Sequence, residues 1–456
     1  RRQVASPITV ELEPIGKVPH GLASSVALSD NDYVTEGGEA KIYAKHGVVY
    51  KLYHHPEKTI PRGKVEELTV LDHKSIVCPW GMLITGGKVC GIFMAQVPQA
   101  QPVARLFTNT FRQRHSVTDE ITLEVINQIQ QSIEHVHQHQ CLVVDANEFN
   151  YLVSQHFEMV YAIDVSAYQT PHFPATAIMP TIQDPKAKSF SPLSDWYAFA
   201  IVACQLLIGI HPYKGHHPKY PTAKVLERMA AGASIFDPGV NLPDQVRDLS
   251  LIPDSYRQWF VELFCDGKRS TPPASATAVS FSTILIPKAI IGVYQDAIIP
   301  LPTGVTVMAS IHAERIALNH QPTTLTASQI FAWGPSLYVL YKERFIEVKL
   351  NIFSGKIIPS ITKVWNVLPH ATTMFDGFVY QNILGFPYLL VPTQPGNCAV
   401  IKVPELQGYK IMDGSRTQTL MEIIAAKNGV YDRFHLTVDA KTGKYKIRTQ
   451  HDVDYR

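Results

Sequence analysis

The stretch Val143-Val-Asp145-Ala-Asn147-Glu-Phe-Asn150-Tyr-Leu-Val153 decides how the first part of the chain is interpreted. It places an acid and an amide five residues apart, so that one tight loop can aim both side chains at a single point. The preceding segment, from Thr118 to Cys141, has apolar residues at helical spacing, with Thr118 as a suitable N-cap. The sequence therefore predicts a long helix followed by a loop that presents Asp145 and Asn150.

Other parts of the chain supply groups suited to the same chemistry. Val160-Tyr-Ala-Ile-Asp164-Val-Ser166 ends a hydrophobic strand with a carboxylate that suits a magnesium ion. Thr35-Glu-Gly37-Gly38-Glu-Ala40-Lys-Ile42-Tyr43 contains small residues, which let backbone N–H groups approach phosphate oxygens closely. Val48-Val-Tyr-Lys51-Leu-Tyr53 places a lysine in the middle of a strand. In this order, the groups are those that phosphoryl transfer from ATP requires.

The region from about 33 to 273 resembles the protein-kinase fold, and most closely the atypical bacterial and phage-encoded kinase-like proteins. The resemblance implies ATP and Mg²⁺ as cofactors. It implies that Asp145 is the catalytic base, and that Asn150 and Asp164 bind the metal. Lys51 would hold the phosphates, oriented by Glu67 on a short helix, with Glu66 as a rival partner.

The same resemblance implies roles for residues outside the metal site. Gly37, Gly38, Ala40 and Ile42 look like the phosphate loop, and Met94, Gln96 and Val97 look like the hinge that holds adenine. Asp195-Trp196 resembles the start of the family's buried helix. Arg269 resembles a structural arginine that lies late in the larger lobe.

The sequence departs from the family pattern at positions that usually serve phosphate binding or regulation. Thr35 and Ala40 occupy positions where glycine is usual, and Asn147 replaces a phosphate-contacting lysine. The remaining departures are Val143-Val144 for His-Arg, Val165-Ser166 for Phe-Gly, and Met179-Pro-Thr181 for Ala-Pro-Glu, which removes the glutamate. The expected base and metal ligands are kept, whereas the regulatory residues are not.

The expected fold is an α+β bilobal kinase-like domain followed by an all-β domain. We predict an N-terminal arm at 1–30, an N-lobe at 31–98, a C-lobe at 99–284 and a β-rich domain at 285–456. After about residue 285, short strand-like runs separated by turns such as Asp376-Gly377 dominate. A propeller blade takes about 40–45 residues, so this region would hold three to four blades of a partial or open β-propeller.

Composition excludes several classes of protein. The chain has 456 residues and a net charge of +2, so no strong global field would draw it to nucleic acid or to an anionic membrane. Six cysteines without a C-x-x-C pair argue against a zinc ribbon or a disulfide scaffold. The apolar run Trp196–Ile210 would reach ~22 Å as a helix, short of a ~30 Å hydrocarbon core, so no membrane span is expected.

The N-terminus has no apolar run of the secretory type, and its lack of an initiator Met suggests a processed or excised segment. The histidines of His135-x-His137-x-His139 point in divergent directions on a helix, so they are not expected to form a metal site. Taken singly, the other motifs have simpler explanations: Gly37-Gly38 as a hairpin turn, Lys51 as a solvated charge, and Asp145 with Asn150 as loop caps.

The function expected from the resemblance is a serine/threonine protein kinase that acts on an unidentified protein substrate. The rival is a pseudokinase or nucleotide-binding scaffold that presents the β-domain to a protein partner. A small-molecule kinase is the third alternative. The resemblance implies a location in the bacterial cytoplasm, or in a virus particle if the chain is encoded by a phage.

Overall fold

The structure is a computed structural model that describes residues 6–453, except 98, 176, 275–295, 419, 440, 441 and 443. Helices and strands are mixed up to residue 274. From 296 onwards, the described residues form strands and one short 3-10 helix at Pro404–Leu406. The predicted order, a mixed α/β region followed by an all-β region, is therefore confirmed. The predicted boundary at 284/285 lies outside the described residues.

A seven-stranded antiparallel sheet forms the first part of the chain, in the order β2-β1-β6-β7-β5-β4-β3. Its strands are β1 (Ile8–Pro14), β2 (Ser25–Leu28), β3 (Tyr33–Glu36), β4 (Ala40–Lys45), β5 (Val48–Tyr53), β6 (Pro79–Thr85) and β7 (Lys88–Ala95). Within the predicted N-terminal arm at 1–30, β1 is an internal strand of this sheet, because β2 pairs along one side of it and β6 along the other. A turn at His46-Gly47 joins β4 to β5, with positive φ at both residues.

The two faces of this sheet pack against different parts of the molecule. Ile42 lies opposite Lys51, and Met94 lies opposite Val49, so their side chains share one face with Ala40. That face packs towards the helical region. The other face carries a buried aromatic cluster that also includes Leu368 and Ala371 of the β-region.

Among the described residues up to 274, six α-helices and a small three-stranded sheet accompany the seven-stranded sheet. The helices are α1 (Arg62–Leu68), α2 (Asn109–Arg114), α3 (Asp119–Gln138), α4 (Pro192–Ile208), α5 (Val225–Ala231) and α6 (Asp254–Phe264). The small sheet, in the order β10-β9-β8, contains β8 (Ala100–Pro102), β9 (Tyr151–Ser154) and β10 (Val160–Ala162). None of the helices in the described part of the chain is long and apolar enough to cross a membrane.

The sequence predicted the N-terminus of α3 but not that of α4. Thr118 caps α3 as predicted, since its side chain accepts a hydrogen bond from the backbone of Ile121 at 3.3 Å. Asp195-Trp196, which resembles the start of the family's buried helix, lies inside the first turns of α4 and not at its start. Helix α4 begins four residues before Trp196, because Ser191 caps it and Pro192 suits its first position.

The β-region consists of four antiparallel sheets, each made of four consecutive strands. The strands are β11 (Asp296–Pro300), β12 (Thr306–His312), β13 (Arg315–Leu318), β14 (Gln321–Thr326), β15 (Gln329–Trp333), β16 (Ser336–Tyr341), β17 (Arg344–Phe353), β18 (Lys356–Asn366), β19 (Thr372–Phe375), β20 (Phe378–Ile383), β21 (Phe386–Gln394), β22 (Asn397–Lys402), β23 (Lys410–Arg416), β24 (Met421–Lys427), β25 (Val430–Val438) and β26 (Tyr445–Gln450). The first strands of successive sheets contact one another. We number these sheets one to four in chain order.

The β-region shares buried surface with both earlier parts of the chain. Met412, Ile424 and Tyr431 of the fourth sheet belong to the same buried cluster as the helical core. Leu368 and Ala371, beside the third sheet, belong to the cluster on the outer face of the seven-stranded sheet. The β-region therefore spans from one part to the other.

Candidate functional site

The site is organised around an ion pair between Lys51 and Asp164, which lie 113 residues apart in sequence. Lys51 Nζ lies 2.8 Å from Asp164 Oδ1. The lysine side chain is 10% exposed and the aspartate 40%, so the carboxylate reaches solvent while the ammonium lies behind it. Burial alone lowers the pKa of Lys51, but Asp164, Tyr53 and Glu39 outweigh it and raise that pKa above its usual value.

Asp164 is held in an uncommon backbone conformation, with φ 57° and ψ 31°. This left-handed region costs most non-glycine residues about 1–2 kcal/mol, although aspartate tolerates it better than most. Burial acts to raise the pKa of Asp164, but Lys51 and Ser166 more than offset it and the pKa is lowered. The carboxylate is therefore ionised at neutral pH.

Asn150 lies next to Asp164 because β9 and β10 run side by side. Tyr151 pairs with Ala162, and the following backbone bond joins Ile163 N to Asn150 O at 2.9 Å. The side-chain amide of Asn150 donates to the backbone oxygen of Asp145 at 2.9 Å. The structure thus brings together the three polar groups that the sequence singled out, Asp145, Asn150 and Asp164.

The carboxylate of Asp145 faces the segment that follows Asp164. Its Oδ1 accepts a hydrogen bond from the backbone N–H of Met179 at 2.9 Å. Burial raises the pKa of Asp145, and hydrogen bonds from Asn147 and Met179 only partly oppose that rise. A raised pKa favours proton acceptance at neutral pH more than the pKa of a free aspartate would.

The loop before Asp145 is pinned by a fully buried acid, Asp195. Its two carboxylate oxygens accept the backbone N–H groups of Val143 at 2.9 Å and Val144 at 2.8 Å. His137 Nε2 contacts the same carboxylate at 2.8 Å. Val144 has φ 63°, which is strained for a β-branched residue, so these bonds hold the loop in a shape it would not adopt alone.

The groups at this point fit a hard divalent cation. Both Lys51 and Ser166 bond Asp164 through Oδ1, so Oδ2 accepts no bond from the described residues. The side-chain oxygen of Asn150 is likewise without a donor among them. Mg²⁺ prefers carboxylate and amide oxygens and keeps several waters or phosphate oxygens, so two protein ligands are sufficient. In the described part of the chain, no cluster of three or more His, Cys, Asp or Glu could hold a metal.

The Gly37-Gly38 segment borders open space. A Cβ added to either glycine would meet no atom within 4 Å, and neither has a positive φ. The segment is tied down by Gly37 N to Ala40 O at 3.0 Å and by His54 Nε2 to Gly37 O at 2.9 Å. Next to it, Glu39 Oε2 lies 3.7 Å from Lys51 Nζ, so an acid reaches the cation beside Asp164.

The predicted hinge residues lie where the chain leaves the seven-stranded sheet. Met94 is buried at the end of β7, and Val97 is half-buried against the main core. Gln96 donates its backbone N–H to Gly47 O at 2.9 Å. Met94 lies on the same face of the sheet as Ala40 and Ile42.

The predicted partnership of Glu67 with Lys51 is wrong in this structure. Glu67 accepts bonds from the backbone and the ring of His172, and its rival Glu66 pairs with Arg62 at 3.0 Å. Lys64 takes the buried position on α1 and donates to Pro174 O at 3.0 Å. Because α1 is under two turns long, the carboxylate at its end meets the 170–172 segment instead of β5.

Asp184, which the sequence analysis did not single out, pairs with Arg269. The guanidinium of Arg269 donates to both carboxylate oxygens of Asp184 at 2.6 Å, and the aspartate side chain is 3% exposed. Asp184 lies three residues beyond Thr181, which ends the segment where the family pattern would place a glutamate. The sequence signal that could have revealed this pair was an acid shortly after Met179-Pro-Thr181, which could pair with Arg269.

Two residues of the fourth sheet lie beside the Asp145–Asn150 loop, and no local pattern in the sequence pointed to them. The hydroxyl of Tyr431 donates to the carboxylate of Glu148, which is buried. Lys410 Nζ lies 4.4 Å from the centroid of the Phe149 ring. The β-region therefore contributes to the wall of the site.

No family model matches this chain, and none of the curated proteins matches it.

Proposed function

We propose that this chain is an ATP- and Mg²⁺-dependent phosphotransferase with a protein-kinase-like fold, acting on serine or threonine of a protein. One observation carries the proposal. Lys51 and Asp164 form an ion pair at 2.8 Å across 113 residues of sequence, with Asn150 held beside Asp164 by the β9–β10 ladder. A cation, a carboxylate and an amide around one point are the groups that a metal–triphosphate complex needs.

Each group has a role that follows from its position. Adenine would lie against Met94, Gln96 and Val97, and the phosphates would lie under Gly37-Gly38 next to Lys51. Asn150 and Asp164 would hold Mg²⁺, which when bound neutralises charge on the phosphate oxygens. Lys51 would leave its pairing with Glu39 to contact phosphate, since that pair is long and the glutamate is exposed.

Asp145 is suited to orient the acceptor hydroxyl and to take its proton. The acceptor oxygen forms a bond to the γ-phosphorus while the bond from that phosphorus to the bridging oxygen breaks. The electron pair of the broken bond leaves with ADP, and the hydroxyl proton passes to Asp145. The raised pKa of Asp145 supports this role.

The test combines nucleotide binding with transfer of labelled phosphate. We expect the wild type to bind Mg-ATP in calorimetry and to label itself or a general protein acceptor. Asp164→Ala should reduce transfer at least 100-fold. Asp266→Ala is the matched control, because Asp266 belongs to an exposed ion pair with Lys268 at 3.8 Å, away from the site. A wild type that neither binds Mg-ATP nor transfers phosphate overturns the proposal.

The second candidate is a nucleotide-binding scaffold that presents the β-region to a protein partner. It is favoured by Glu39 beside Lys51, which opposes phosphate binding, and by the open-propeller arrangement that we infer for the four sheets. Binding of Mg-ATP without transfer to any acceptor would support the scaffold over the enzyme. On either reading we place the protein in the bacterial cytoplasm or, if phage-encoded, in the virus particle.

A further inference from the structure

The cation of Lys410 lies at the site without an ion-pair partner among the described residues. Lys410 is the first residue of β23 and is exposed, and its Nζ contacts the face of Phe149 at 4.4 Å from the ring centroid. Among the described residues it forms no ion pair within 4.0 Å and no side-chain hydrogen bond.

The surroundings of Lys410 are those of the proposed phosphate site. Phe149 directly precedes Asn150, and Glu148 precedes Phe149. Burial among neighbouring atoms lowers the pKa of Lys410, while the carboxylates of Asp164, Glu148 and Asp145 act to raise it. Through its contact with Phe149, Lys410 therefore lies beside the loop that carries Asp145 and Asn150.

The strand that carries Lys410 is fixed to the helical region on its following residues. The backbone oxygen of Met412 accepts from Arg105 Nε at 3.0 Å, and Asp413 pairs with Arg114 at 3.2 Å. Tyr431, on β25 of the same sheet, bonds Glu148. Because these contacts fix β23, the backbone of Lys410 has a defined position beside the Asp145–Asn150 loop.

The loop itself offers no cation for a transferring phosphoryl group. Asn147 is buried, and its side-chain oxygen accepts the backbone N–H of Phe149 at 2.8 Å, so it braces the loop from inside. Lys64 is buried and bonded to Pro174 O, and Lys51 is paired with Asp164. A triphosphate that brings several negative charges would need a further cation on the side of the acceptor.

We propose that Lys410, supplied by the C-terminal β-region, binds the γ-phosphate of ATP in this site. The inference rests on the proposed function and deepens it: the phosphate site is completed only when the fourth sheet is docked. Lys410 keeps its proton throughout and acts by charge. It stabilises the γ-phosphoryl oxygens while the bond to ADP breaks and the bond to the acceptor oxygen forms.

The test compares ATP with ADP, since only ATP has a γ-phosphate. Binding of each nucleotide with Mg²⁺ is measured by calorimetry for the full chain and for Lys410→Met. We expect Lys410→Met to weaken ATP about tenfold while ADP changes less than about twofold, and to slow labelled transfer at least 30-fold. Lys410→Arg, which keeps the charge, should recover most of the ATP preference.

Lys402→Met is the matched control. Lys402 is another exposed lysine of the β-region, with its Nζ 4.0 Å from the centroid of the Phe386 ring, but it is not next to the acids of the site. It should leave both affinities and the transfer rate at wild-type values. If Lys410→Met keeps the wild-type ratio of ATP to ADP affinity, the role of Lys410 is overturned while the proposed function stands. If the wild type binds neither nucleotide, the proposed function itself falls, and the role of Lys410 falls with it.

Discussion

The hydroxyl of Tyr431 donates a hydrogen bond to the carboxylate of Glu148, across 283 residues of sequence. Glu148 belongs to the loop that carries Asp145 and Asn150, and Tyr431 belongs to the fourth sheet. The bond lies in a buried setting, with Phe149 roughly stacked on Tyr431 at 6.4 Å between ring centroids. The geometry of the candidate site therefore depends on the docking of the β-region as well as on the part that contains the site.

Tyr431→Phe removes only that hydroxyl and leaves the buried carboxylate short of a donor. We expect it to lower the free energy of unfolding by about 1–3 kcal/mol, measured by urea denaturation. Tyr445→Phe is the control, because its hydroxyl bonds an exposed acid, Glu405, at 2.8 Å. The control should change stability by less than about 0.5 kcal/mol. Equal effects of the two changes would contradict a structural role for the Tyr431 hydroxyl.

The pair Arg269–Asp184 should show strong coupling in a double-mutant cycle. Asp184→Ala leaves a mostly buried guanidinium without its two-point partner, so a loss of about 3–5 kcal/mol in unfolding free energy is expected. Asp184→Ala with Arg269→Ala removes both charges and should cost clearly less than the sum of the two single changes. Additive single effects would show that the two residues do not stabilise each other.

The pH dependence of stability should carry a contribution from His115. Burial lowers the pKa of His115 from 6.5 to about 4. The charges of Arg105 and Arg114 add to this effect, and the charge of Asp413 opposes it. A folded-state pKa below the unfolded one means that the unfolded state binds the proton first, so stability falls as pH drops from 6.5 towards 4. Between pH 7 and pH 5 this amounts to about 2 kcal/mol.

The check compares urea unfolding at pH 7 and pH 5 for the wild type and His115→Gln. The difference between the two pH values should shrink by about 2 kcal/mol in the variant. His55→Gln serves as the control because the His55 side chain is 63% exposed. An unchanged pH difference in His115→Gln would mean that His115 does not titrate as its surroundings imply.

Glu67→Gln tests the corrected pairing directly. Since Glu67 bonds His172 and not Lys51, the change should alter Mg-ATP affinity less than about threefold. Lys51→Met is expected to weaken the same binding at least 30-fold, because it removes a cation from the phosphates. If the two variants lose affinity equally, Glu67 reorients towards Lys51 when nucleotide binds, and the pairing implied by the sequence resemblance is restored.

Sequence reasoning succeeded where a feature depends on residues close together in the chain. The helix at 119–138 with its Thr118 cap was predicted from the spacing of apolar residues, and the Asp376-Gly377 turn between β19 and β20 from its turn residues. Strands β18, which carries Pro359, and β23, which carries Asp413 and Gly414, contain residues that disfavour strands on their own. Pairing with neighbouring strands overrides that preference.

The sequence alone determined the chemistry present in the chain: a strand lysine, an acid and an amide on one loop, and an acid at the end of a strand. Tertiary packing decided that Asp164, not Glu67, pairs with Lys51, that Asp184 holds Arg269, and that Lys410 lies beside the Asp145–Asn150 loop. Periodicity reports the backbone geometry within one element and the side it buries. Contacts between charges more than eighty residues apart depend on how whole elements pack against one another. Such packing produces no periodic pattern within a short stretch of sequence.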